Sequence, residues 1–78
     1  MRDKIIQLIK ILGIGVNELI IDIDLDSITI NSIEWSQSDN KVFVHLFDDD
    51  YDIEMDFDDL SDENQEIIFK TLSQLIYN

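Results

Sequence analysis

From Ile33 to Met55 apolar and polar residues alternate on either side of two turn sequences, and this alternation constrains the fold more than any other feature of the chain. Gln37-Ser38-Asp39-Asn40 is a turn sequence, made of residues whose side chains bond readily to nearby backbone. A four-residue loop there pairs Ser36 with Lys41, Trp35 with Val42 and Ile33 with Val44. A second loop over Phe47 to Asp50 pairs Leu46 with Tyr51, Val44 with Ile53 and Val42 with Met55. The two hairpins agree on one core face: Ile33, Trp35, Val42, Val44, Leu46, Tyr51, Ile53 and Met55. Such agreement is informative, because a slip of one residue would send every side chain to the opposite face.

The flanking segments follow other periods. Ile5, Leu8, Ile9 and Leu12 fall at i, i+3, i+4 and i+7, with Ile6 widening the stripe, so residues 2 to 12 form an amphipathic helix. Gly13 stands where a left-handed C-terminal cap is expected. Two periods compete from Val16 to Leu25. Leu19, Ile21, Ile23 and Leu25 alternate as a strand would, whereas Val16, Leu19, Ile20 and Ile23 fit a helix; the strand is favoured because it sets three Asp on one face. Ile28 and Ile30 have even parity but Ile33 and Trp35 odd, so a regular strand cannot bury both pairs, and a bulge or break near Asn31 and Ser32 is the simplest repair. Ser61 is the N-cap of a second helix, with Asp62 and Glu63 in its dipole-favoured first turn and Ile68, Leu72, Leu75 and Ile76 as its apolar stripe, Phe69 beside them. The expected architecture is α+β: an N-terminal helix, a three- or four-stranded antiparallel meander, and a C-terminal helix packed on the sheet. Residues 1–78 are read as one domain.

Charge narrows the classes of function. The chain carries −13 at a pI of 4.1, yet it is 45% hydrophobic and periodically patterned, which marks a folding chain rather than a disordered acidic tail. Most of that charge is local: residues 47–66 hold 11 of the 18 acids and no Lys or Arg. Nucleic acid and anionic lipid should be repelled, so the expected partner is a basic protein surface, with no direct nucleic-acid or membrane contact. Absence of Cys removes disulfides and thiolate chemistry and fits a reducing compartment. No run approaches the roughly 20 apolar residues of a membrane span, and Asp3, Gln7 and Lys10 interrupt the N-terminal apolar run, which speaks against a signal peptide. A cytoplasmic protein is expected.

The register that buries the apolar set also fixes the other face of the last hairpin. Lys41, Phe43, His45 and Phe47 stand on one strand, and Asp50, Asp52, Glu54 and Asp56 on the next. Successive carboxylates on a strand lie about 6.6–6.8 Å apart, two residues at the usual rise, and Asp58 and Asp59 continue the row. Asp48, Asp49, Asp50, Asp52, Glu54, Asp56, Asp58 and Asp59, flanked by Phe43 and Phe47, thus make a line of fixed negative charge beside aromatic rings. Through its charge and spacing this stretch resembles the small acidic inhibitors of phage origin, the anti-CRISPR and anti-restriction proteins that mimic nucleic acid. What the resemblance implies is stoichiometric inhibition, in which these ten residues occupy the Lys/Arg-lined groove of a nucleic-acid-binding enzyme. The alternatives are an immunity or antitoxin-like protein that neutralises a basic toxin, and an assembly module that forms a homodimer through its apolar helices. An antiparallel sheet with one solvated face also reads apolar-in and polar-out, but such a face usually mixes signs.

Sharper chemistry finds little support. Asp48, Asp50, Asp52, Glu54, Asp56 and Asp59 match calcium-loop spacing, but Ile53 replaces the required Gly and Asp59 the final Glu. His45 is the only histidine, paired in this register with Asp52. With one His, no Cys and no phosphate-binding glycine loop, the sequence offers no zinc site, no cofactor site and no catalytic constellation, so an enzyme is not expected.

Overall fold

The computed structural model describes residues 1–13, 17–48 and 51–77, and of residues 47, 48, 51 and 52 the backbone alone. Helix α1 (Arg2–Leu12) precedes strands β1 (Glu18–Asp24), β2 (Thr29–Ser36), β3 (Lys41–Asp48) and β4 (Tyr51–Asp56). A 3₁₀ turn (Phe57–Asp59) then leads into helix α2 (Asp62–Tyr77). The strands lie side by side in sequence order, all antiparallel, so the architecture is the expected α+β meander with four strands. Among the described residues no helix is long and apolar enough to cross a membrane.

Residues 18–24 are strand, which resolves the competing periods: Ile23 and Leu25 are buried and Leu19 and Ile21 partly so, while Ile20, Asp22 and Asp24 are exposed. Of the two repairs expected for the parity conflict in β2, a bulge or a break, the structure shows a register shift between Ile30 and Ser32. Ile30 pairs with Leu46 and Ser32 with His45, so Asn31 is an extra residue against β3, and Ile30 and Ile33 both reach the core completely buried. Strand β1 carries a matching shift between Ile20 and Ile23. Gly13 departs from expectation. Its φ of −109° is not left-handed, and the helix ends instead on its N–H, which donates to the Ile9 carbonyl at 2.7 Å.

The two hairpins differ in how well their partners were anticipated. Between β2 and β3 the observed pairs are Ser36 with Lys41, Trp35 with Val42 and Ile33 with Val44, as expected, and Asn40 closes the turn at φ 52°, a left-handed value that Asn tolerates. Between β3 and β4 the expected register is wrong by two residues: Val44 pairs with Met55, Leu46 with Ile53 and Asp48 with Tyr51. Strand β3 therefore runs to Asp48, two residues past the point where the loop was expected to begin. A shift of two preserves every face and changes every partner, so burial patterning could not have detected it. Leu46 and Met55 are only partly buried, and Ile53, expected in the core, is 44% exposed.

One core holds these elements together. Ile5, Ile6, Leu8 and Ile9 of α1 and Ile68 and Leu72 of α2 join Ile23, Ile30, Ile33, Val42 and Val44 of the sheet, with Phe57 and Leu60 closing the end. Each fully buried aliphatic side chain contributes about 1.5–3 kcal/mol. The contacting row of α2 runs Ile68, Leu72, Ile76 at four-residue spacing, which leaves Leu75, expected in the stripe, exposed. Ser61 caps the helix as expected, its Oγ accepting from the Asn64 amide at 3.2 Å. The buried Asn64 side chain in turn accepts from the Asp26 amide at 3.0 Å, tying the start of α2 to the β1–β2 turn, where Ser27 adopts φ 74°.

Candidate functional site on the open face of the sheet

Both helices lie over one face of the sheet. On that side Ile33, Val42 and Val44 are completely buried, while Trp35 is partly buried, with the Lys10 ammonium 4.6 Å from its ring centre. Among the described residues no helix lies on the other face. It presents Glu18, Ile20, Asp22 and Asp24 from β1, Ser32 and Glu34 from β2, Lys41, Phe43 and His45 from β3, and Glu54 and Asp56 from β4. Six of these are acids and one is a permanent cation. Alternation within each strand and antiparallel pairing between strands produce this arrangement, since the core face takes every other residue.

The acidic row read from the sequence is only partly a row. Glu54 and Asp56 stand on the open face, two positions apart on β4. Asp56 is then held on both oxygens: Oδ1 accepts from the Asp58 amide at 3.0 Å, and Oδ2 is 3.9 Å from Lys41 Nζ. The chain leaves the strand there and enters the 3₁₀ turn, so Asp58 and Asp59 do not continue the line as expected. Burial of Phe57 forces this bend, and Asp58 comes within 3.6 Å of Arg2 at the start of α1. Phe43 sits on the open face, half-buried between Glu34 and Asp56 on the neighbouring strands. Asp49 and Asp50 lie outside the described residues, as do the side chains of Phe47, Asp48 and Asp52. Strand pairing also replaces the calcium-loop spacing: same-face carboxylates on an extended β4 diverge, whereas that loop must converge its ligands on one point.

His45 is the clearest correction at the site. Its cross-strand partner is Glu54, not Asp52, because of the two-residue register change. Its Nε2 lies 3.9 Å from Glu54 Oε2, too far for a hydrogen bond, and this nitrogen is buried with no hydrogen-bond partner. The side chain as a whole is 16% exposed. On the side of β3 away from β4, folding brings up two acids that the sequence reading passed over. Glu18 pairs directly with Glu34, and ligand atoms of Glu18, Glu34 and His45 all lie within 4.8 Å of one another. The position of Glu34 was legible from the first hairpin, which sets it opposite Phe43. Glu18 was not, since its register depends on a strand whose identity the sequence left open.

No known protein family matches this chain, and no curated protein and no solved structure is significantly similar to it.

Proposed function

We propose that this protein is a stoichiometric inhibitor that binds a basic nucleic-acid-binding protein through the acidic open face of its sheet. The supporting observation is the near-uniform sign of that face, where Glu18, Asp22, Asp24, Glu34, Glu54 and Asp56 outnumber the single described Lys41. Like charges gathered on one side raise self-repulsion and return nothing to stability, which favours a role in attraction. Half-buried Phe43 lies between Glu34 and Asp56, and Ile20 stands exposed on the edge strand, apolar contacts of the kind binding surfaces use as anchors. In this reading the chain acts in the cytoplasm and competes with nucleic acid for a Lys/Arg-lined groove, as the acidic inhibitors of phage origin do. Charge complementarity sets the rate and salt sensitivity of capture.

Affinity capture from host lysate tests it, using the wild type and an Asp22→Lys, Glu54→Lys variant that reverses exposed acids on opposite edge strands. Retention of a nucleic-acid-binding protein by the wild type alone, released by rising salt and by added nucleic acid, supports the reading. Equal retention by the variant, or a partner indifferent to nucleic acid, sinks it. A second reading, self-assembly through the helical layer, is favoured by the exposure of Ile11, Leu75 and Tyr77 on the helices. Sedimentation of the pure chain separates the two: assembly requires a dimer.

A further inference from the structure

We infer that Glu18, Glu34 and His45 form a binding site for one divalent transition-metal ion, with zinc the best-matched species. Their ligand atoms already lie within 4.8 Å of one another, although the residues come from three different strands. Zinc binds imidazole nitrogen and carboxylate oxygen at about 2.0–2.2 Å, so the three groups close on one ion with side-chain shifts of about 1 Å. One imidazole with two carboxylates is a donor set suited to zinc and its neighbours, whereas calcium and magnesium call for oxygen alone.

Two further observations point to a ligand. Glu18 and Glu34 are directly opposed across the β1–β2 ladder, and among the described residues no cation comes within ion-pair distance of either. Directly opposed like charges destabilise a sheet unless something lies between them. His45, a half-sealed imidazole with a buried and unpartnered nitrogen, stands diagonally across Glu34. A buried polar atom without a partner costs free energy that coordination, or a hydrogen bond to a metal-bound water, would recover. Glu54 comes only within 3.9 Å of Nε2, beyond hydrogen-bond distance, so it does not satisfy this nitrogen in place of a ligand. The site shares the open face with the inhibitor reading, since Glu18 and Glu34 are two of its six acids, but it rests on the meeting of these three side chains and not on that reading.

The test uses the full chain freed of metal with a chelator, then titrated with zinc chloride and, in parallel, calcium chloride. Because His45 is the single histidine, its ring resonances report the site without ambiguity. Expected results are one zinc per chain by calorimetry, movement of the His45 ring signals with zinc but not calcium, and an affinity lowered at least about tenfold in both Glu18→Gln and His45→Gln. An Asp58→Asn, Asp59→Asn variant should bind zinc like the wild type. Glu18 is exposed, so Glu18→Gln and the wild-type ring signals decide the matter even if His45→Gln misfolds. Zinc binding undiminished in Glu18→Gln, a ring that does not respond, or calcium matching zinc at the same stoichiometry would each overturn the proposal and leave a diffuse carboxylate cloud in its place.

Discussion

The two faces of this sheet are built from the same strands and differ in almost every other respect. On one, Ile30, Ile33, Val42 and Val44 are sealed beneath two helices; on the other, acids from three strands surround Phe43 and His45. Neighbouring residues on β3 illustrate the separation, with Val44 completely buried and His45 on the opposite side beside Glu54. A pleated strand can serve both purposes because alternate side chains scarcely interact through the backbone. Stability can thus reside on one face and recognition on the other. Substitutions should accordingly fall into two groups.

The largest effect is expected on the covered face. Ile33→Ala leaves a cavity in the core that the sheet shares with the helices and should cost about 2–5 kcal/mol in urea unfolding; a loss below about 1 kcal/mol would mean that this face is not the core. Ser61→Ala acts on the covering layer itself. It removes the 3.2 Å cap bond to the Asn64 amide and should cost about 1 kcal/mol, read as a lowered urea midpoint at constant slope.

On the open face the sign should reverse. Glu34→Gln, measured with chelator present, removes one of two opposed carboxylates and should stabilise the chain by about 0.2–1 kcal/mol. The same substitution should weaken zinc binding, so stability and affinity would move in opposite directions, a split that a purely structural Glu34 could not produce. Smallest of all is Glu54→Gln, expected to change unfolding by less than about 0.5 kcal/mol. If the proposed inhibitor role holds, its effect should appear instead as weaker, less salt-sensitive capture of a basic protein. Should Glu54→Gln destabilise as much as Ser61→Ala, the division of labour between the faces would be lost.

Much of the covered face was legible in the chain. Period two in β2 and β3, period 3.6 in the helices, the turn at Gln37–Asn40, the bulge at Asn31 and the cap at Ser61 are all local signals, each decided within a few residues. Less of the candidate site could be read. The acidic composition of residues 48–59 was plain, but the uniform row was not realised, since Phe57 turns into the core and takes Asp58 and Asp59 off the strand line. Lys41 and Arg2, remote in sequence from that stretch, were brought to Asp56 and Asp58.

The sequence by itself determined which residues face inward, because burial selects parity and helical stripes, and parity is written in the order of the side chains. Only the tertiary structure decided which outward residues meet. The pairing of His45 with Glu54 rather than Asp52 depends on a two-residue difference in register, and two registers that differ by two turn the same side chains to the same face. The meeting of Glu18, Glu34 and His45 depends on the pairing of three strands, 27 positions apart at the extremes. Hydrophobic burial is indifferent to where along a strand its partner sits in steps of two, and chemistry on the surface depends on that choice.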